Sequence, residues 1–197
     1  MTSWTDPVTL TGRRLSLTPL TVDDAADYLD ALGDDEAKGQ VTAHLNFVAP
    51  TSLDETRALL RAAEQAPDRV AYAQRLKDTG EFVGTTSFYD ITAATRALAI
   101  GHTWIGRKFW RTGVNTDSKI IMLTRAFDGL GAERVVWHTD IRNTRSQAAI
   151  ERLGATKEGI LRHHKIRPDG SWRDTVQYSL LADEWPAARE RLSRPRT

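Results

Sequence analysis

Between residues 96 and 141 the hydrophobic period changes twice, and that change limits what the chain can build. "RALAIGHTWI" (96–105) is rich in β-formers and reads as a strand. "IIMLTRAFDGLG" (120–131) carries Ile120, Leu123, Phe127 and Leu130 at helical spacing, with Gly129 or Gly131 as its stop. "RVVWHTDI" (134–141) returns to a strand. A strand, a helix and a strand in succession can join two parallel neighbours, because parallel strands need a crossover of this length.

The remaining chain supplies mostly antiparallel material. "RRLSLTPL" (13–20) predicts a first strand. "TVDDAADYLDALGDD" predicts a helix capped by Thr21 or Asp23, with Ala25, Tyr28, Leu29 and Leu32 inward and Gly33 at its end. "SLDETRALLRAAEQA" (52–66) predicts a second helix with a Ser52–Glu55 capping box, and residues 36–51 carry no clear period. "RVAYAQRLK" and "EFVGTTSFYDI" flank "DTG" as a hairpin. "SQAAIERLG" (146–154) reads as a short helix, "EGILRHHKI" and "RDTVQYSLL" as a closing hairpin over "RPDGS", and "ADEWPAARERL" as a peripheral last helix. The order β-α-α-β-β-β-α-β-α-β-β predicts an α+β fold with a mixed central sheet, not a doubly wound one.

At 197 residues the chain suits one domain, 1–197, with a single core. No apolar run approaches the length of a membrane span, and the N-terminus lacks the basic start and apolar stretch of a secretory signal. The absence of cysteine excludes disulfides, thiolate metal sites and a cysteine nucleophile, and fits the cytoplasm. Charge is uneven: residues 1–68 hold twelve acidic and five basic side chains, a balance of −7, which leaves +8 for the remainder. Dispersed basic residues and a net charge of +1 argue against nucleic acid, and no histidine pair has the i, i+4 spacing of a metal site.

"WRTGVNTDSK" (110–119) stands between the strand and the helix of the crossover. A helix start leaves backbone N–H groups unpaired at a partly positive end, where phosphates bind. Gly113 permits close approach and unusual dihedrals; Thr112, Asn115 and Thr116 are small and polar, and Arg111 adds a charge. Neither a Walker loop nor a dinucleotide fingerprint is present.

With its surroundings, this stretch resembles the GCN5-related N-acetyltransferase (GNAT) superfamily. The likeness spans Arg13 to about Leu181, is densest from 100 to 162, and rests most on the loop at 110–116 and on "NTRSQAAIERLGA" (143–155). It is closest to the RimJ/RimL-like branch that acetylates ribosomal-protein N-termini. The resemblance implies a mostly antiparallel sheet with a splayed parallel pair, and acetyl-coenzyme A as co-substrate. It places the pyrophosphate on Arg111, Thr112, Gly113, Val114, Asn115 and Thr116, and the pantetheine arm along Trp104 and Ile105 and near Asn143. The family's loop pattern is Gln/Arg-x-x-Gly-x-Gly/Ala; here Trp110 and Asn115 stand at its ends, and Arg111 where relatives often have glycine. Ser146 matches a serine near the sulfur that can assist the leaving thiolate; a tyrosine used by many members is Ile150 here. Ser146 also reads as a helix N-cap.

Lys165 stands where that branch has a glutamate base, so the base must be sought elsewhere. His102 and His164 are the leading candidates; His44, His138 and His163 are the other histidines, and Glu158 and Asp140 the carboxylate alternatives. The acceptor expected from the resemblance is a primary amine, first of all a protein N-terminus. Its α-amino group has a pKa of about 8 and is partly free at neutral pH, whereas a lysine near 10.4 needs a real base. A small amine, or a non-catalytic acyl-CoA-binding regulator that lost its base, are the competing readings; a homodimer is an open assembly. The acidic stretch Asp23–Glu36 is expected to border the acceptor cleft and attract a cation.

Overall fold

The computed structural model describes residues 3–193. One eight-stranded sheet organises them: β1 (Leu10–Thr11), β2 (Leu15–Pro19), β3 (Val70–Leu76), β4 (Phe82–Thr92), β5 (Ala97–Ile105), β6 (Arg134–Asp140), β7 (Thr156–Ile166) and β8 (Trp172–Leu181). Their spatial order is β1-β2-β3-β4-β5-β6-β8-β7. Every neighbouring pair is antiparallel except β5–β6. The helices are α1 (Ala25–Leu32), α2 (Asp35–Thr42), α3 (Leu53–Glu64), α4 (Val114–Thr124), α5 (Thr144–Leu153) and α6 (Trp185–Ser193). α4 is the crossover element, and a π-turn, Arg125–Gly129, follows it. None of the described helices is long and apolar enough to cross a membrane.

The two faces of the sheet bury different sets. On one face Leu98, Ile100, Val135 and Trp137 pack under α4 and α5, against Met122, Leu123, Ile150 and Leu153. On the other, Ala71, Ala73 and Trp104 pack under α1 and α3, against Tyr28, Leu32, Leu60 and Ala63. Of the inward positions read from the first helix, Ala25, Tyr28 and Leu32 reach this core, Leu29 is only half-buried, and Gly33 ends the helix at φ 81°.

Several elements differ from the sequence expectation. β1 is an extra two-residue edge, and α2 occupies part of the patternless segment, capped by Asp34 Oδ1 accepting from Ala37 N. Only half of the expected box caps α3: Ser52 Oγ accepts from Glu55 N, but the Glu55 carboxylate reaches back to Thr51 N and Oγ1. α5 begins two residues early, because Asn143 Oδ1 takes the Ser146 N–H and serves as its cap. The last helix is not peripheral. Trp185 is 3% exposed, stacks on Phe127 at 5.7 Å and donates its indole N–H to Asp128.

One carboxylate fixes the crossover helix to the sheet. Asp117, in the first turn of α4, accepts the backbone N–H groups of Arg13, Arg14 and Leu15 at 3.2, 2.8 and 2.9 Å. Those three amides precede or open β2 and have no ladder partner on that side. Bonds to a charged acceptor contribute more than neutral ones, and a buried donor left without a partner carries its full desolvation penalty. Asp117→Ala is therefore expected to lower the unfolding free energy by roughly 2–4 kcal/mol, read from urea titration, with Asp117→Asn intermediate. A loss below half of that range would show that water replaces the carboxylate without penalty.

Candidate functional site

β5 and β6 pair only over Ala97–Ala99 and Arg134–Val136. Beyond that point β5 bulges: Thr85 faces Trp104 and Ser87 faces Gly101, so His102 and Thr103 together oppose one residue of β4. His102 takes up the strain at φ 47°. A bulge bends its strand and increases local twist, which carries residues 102–105 away from β6. The gap opens a cleft of about 1010 Å³ whose lining includes Ser146 and Ile150 on one face of the sheet and Tyr28 and His138 on the other.

At the α4 end of the cleft lies the loop. Gly113 sits at φ 90°, ψ −6° as the residue before the helix, and a Cβ there would meet only Arg14, at 3.9 Å, so the glycine borders open space. Gly113, Asn115, Thr116 and Arg111 line the cleft, with Arg111 also at positive φ, 64°. Thr112 turns away, donating its hydroxyl to Phe109 O, and Val114 is buried in the core. Trp110 has a structural role: its indole N–H donates to Ile105 O at 2.7 Å, and the Arg145 guanidinium lies 4.1 Å over its ring. The carbonyls of His102 and Trp104 accept from Thr85 Oγ1 and Gln74 Nε2. Asn143 lines the cleft while spending its side-chain oxygen on the α5 cap. Ser146, in the first turn of α5, also faces the cleft, and its hydroxyl has no hydrogen bond among the described residues.

The opposite end holds a chain of polar contacts. Tyr89 Oη lies 2.9 Å from His138 Nδ1, His138 Nε2 is 3.1 Å from Gln177 Oε1, and Gln177 Nε2 donates to Glu158 Oε2 at 2.8 Å. Glu158 is in turn held by Arg134 through both guanidinium nitrogens, which keeps its carboxyl well below the usual range. The directions are fixed from the carboxylate inward. Because the Gln177 amide nitrogen donates to Glu158, its oxygen accepts from His138 Nε2–H. Nδ1 is then the acceptor for the Tyr89 hydroxyl. Burial pushes the tyrosine pKa up and the histidine pKa down, so both are neutral at pH 7.

The sequence candidates are thus separated. His102 lines the cleft, its ring edge-on to Tyr89 at 5.1 Å. Enclosure by the walls, with added repulsion from Arg69 and Lys165, pushes its pKa down to about 4. His164 is not part of the cleft lining; its ring lies 5.6 Å from His138. His163 stacks on Trp172, and His44 lines the cleft mouth near α2. Glu158 terminates the Tyr89–His138 chain outside the lining. Asp140 lines the cleft but is clamped by Arg167 at 2.6 and 2.9 Å. The acidic stretch reaches the cleft through Tyr28, but none of its carboxylates is among the lining residues. Asp24 and Asp27 hold Arg75, Asp34 caps α2, Asp35 pairs with Lys38, and Glu36 pairs with Arg107.

Sequence reasoning passed over Lys119. Its ammonium is buried under the bulge, 2.9 Å from Thr103 Oγ1 and 3.3 Å from Thr86 Oγ1, with no carboxylate, and burial pushes its pKa down to about 7. The only signal was a lysine on the inner face of an amphipathic helix. A folded pKa below the unfolded one means that the unfolded chain binds more protons between them. Stability should therefore rise as pH increases from about 7 towards 10, and Lys119→Met should flatten that rise in urea midpoints taken at pH 7, 8.5 and 10. Parallel curves for the two proteins would place the charge on a hydrated lysine.

These features suit an acyl-coenzyme A. The Gly113 cradle is open where a Cβ would intrude, first-turn amides of α4 meet an anion favourably, and Arg111, Arg145 and Arg152 line the same cleft. Gly113→Asn, which tolerates left-handed backbone but fills the cradle, is expected to weaken coenzyme A binding at least tenfold by calorimetry. An unchanged affinity with an intact fold would remove the loop from the phosphate site.

Comparisons with known proteins agree with this geometry. Residues 14–156 match the family model "Acetyltransferase (GNAT) domain". The chain is 33% identical over 106 residues to a Bacillus subtilis (strain 168) protein named "Putative ribosomal N-acetyltransferase YdaF"; the match spans 54% of this chain and 57% of that relative's length. A GCN5-related N-acetyltransferase from Brucella melitensis superposes with a TM-score of 0.88 at 28% identity, covering 94% of this chain and 83% of that one. Mycobacterium smegmatis RimJ, solved with CoA-disulfide, shares the fold at a TM-score of 0.78 and 24% identity, over 94% and 93%.

Proposed function

Because the chain belongs to the GNAT acetyltransferase family, we propose that it transfers an acetyl group directly from acetyl-coenzyme A to a primary amine, and that the amine is a protein N-terminal α-amino group. The observation that carries this reading is the cleft between β5 and β6. It has anion-binding amides and arginines at its α4–α5 end and the neutral Tyr89–His138 pair on the opposite face.

Acetyl-coenzyme A supplies an activated acyl group whose thiol leaves with the electron pair. Arg111, Gly113, Asn115 and Thr116 hold the phosphates, and Ser146 directs an unengaged hydroxyl where a departing thiolate can be met. The amine approaches from the α1–α3 face. As it attacks, it gives its proton to Tyr89 Oη, whose own proton moves to His138 Nδ1; Gln177 and the Glu158 carboxylate behind it favour the resulting imidazolium. Such a base suits an α-amine of pKa about 8 better than a lysine near 10.4. The name of the Bacillus subtilis relative, a ribosomal N-acetyltransferase, supports the same acceptor class.

This account predicts that His138→Gln lowers kcat on an N-terminal peptide roughly 10²-fold, with little change in KM for acetyl-coenzyme A. The acid limb of the wild-type pH profile should fall below about 6.5, because the histidine must be neutral to accept a proton and its pKa is depressed. In kcat, read at saturating acceptor so that protonation of the free amine does not contribute, that limb should vanish in the variant. Thiol release is the assay, with N-terminal peptides, lysine-side-chain peptides and polyamines as acceptors. Faster release with polyamines would favour the small-amine reading, and tight coenzyme A binding without release from any amine would favour a regulator.

A further inference from the structure

The acceptor end of the cleft is basic. Arg173, on β8, is 7% exposed, and its Nε is buried without a hydrogen-bond partner. No ion pair engages its side chain among the described residues; Asp140, the nearest candidate, is clamped by Arg167. Arg69 spends its Nε on Ser87 Oγ at 3.0 Å and has no ion pair either, although exposed Asp68 is its chain neighbour. Lys165 lies opposite Arg173 in the β7–β8 register. All three line the cleft, with the Tyr89–His138 pair among its lining residues. A buried cation without a counter-ion is unfavourable, and natural structures keep such a charge where a partner arrives. Among the described residues, Asp140 is the one carboxylate that lines the cleft.

We infer that Arg173, Arg69 and Lys165 form a subsite for an anionic group on the acceptor, so that the preferred amine belongs to a peptide with an acidic side chain among its first residues. This rests on the acetyl-transfer reading and reverses the charge expected of the acceptor from the acidic first helix. The carboxylate enters between two guanidinium groups and an ammonium, beside His102, which burial first and the charges of Arg69 and Lys165 second keep neutral. A cationic side chain next to the α-amine meets repulsion from all three. A free amino acid offers the same carboxylate chemistry from a second source, its own α-carboxylate, and the experiment separates the two.

Thiol release is measured with peptides that differ only at their second and third residues, as Asp, Asn or Lys, and with free serine. Calorimetry with the N-acetylated acidic peptide reads the subsite without turnover. The expected result is kcat/KM at least tenfold higher for the Asp peptide than for its Asn twin, lowest values for Lys, and little turnover of free serine. Arg173→Gln should bring the Asp-to-Asn ratio towards one and weaken the acetylated acidic peptide at least tenfold. Exposed Lys165→Gln, which leaves the core untouched, should lower the ratio partway. Equal or better turnover of Asn and Lys peptides overturns the subsite while leaving acetyl transfer standing. Absence of turnover, with Arg173-dependent binding of the acetylated acidic peptide, overturns the transfer reading and retains the subsite. Preference for free serine over every peptide overturns the acidic side chain as the anion's source.

Discussion

The site depends on a pairing that stops early. β5 and β6 share three register positions and then part; a fully zipped pair would close the cleft and leave no path between the two faces of the sheet. The separation is built into β5, where two residues oppose one and His102 adopts a left-handed backbone. Gly101 belongs to the same device, since a Cβ there would lie 2.6 Å from Tyr89 Cε1 and displace the ring. α4 must hold its place while its first turn faces the opening, and the Asp117 carboxylate secures it to the start of β2. Lys119, two residues further along, fills the space beneath the bulge and joins Thr86 to Thr103.

Charge is arranged around this opening rather than along the chain. Asp24, Asp27, Asp35 and Glu36 of the first third are neutralised locally, by Arg75, Lys38 and Arg107, and Asp34 caps α2. The arginines and lysines of the cleft are largely left without carboxylates. Two results follow. Phosphates are favoured at the α4–α5 end, and at the other end the cations add to burial, the larger cause, in keeping His102 and His138 from protonating. A neutral His138 suits the proposed proton acceptor, and its neutrality comes chiefly from burial.

Much of this was legible in the residue pattern because it is local. The switch of period on either side of Gly113 gives the crossover, the glycine gives the cradle, and alternation gives β3, β4 and the last hairpin. Four matters were not legible, and each depends on contacts between distant parts of the chain. Asp117 meets amides about a hundred residues earlier. The Tyr89–His138–Gln177–Glu158 chain draws on four different strands. α6 looks polar, and its burial rests on Trp185 against Phe127 and on Ala188. The acidic stretch reads as an exposed face until its basic partners are located. The residue pattern favoured His102 and His164; the cross-strand bonds that fix the tautomer of His138 could not be read from it.

The central claim is that coenzyme A lies in the opening between β5 and β6 with its phosphates on the start of α4. Hydrogen exchange with and without acetyl-coenzyme A tests it most directly. The account predicts slowed exchange at residues 113–117, at 102–105 of β5 and at 137–140 of β6, with no change along β1–β3. Protection confined to α1 and α2, or tight binding that leaves the α4 amides and the parted strands unaltered, would contradict it.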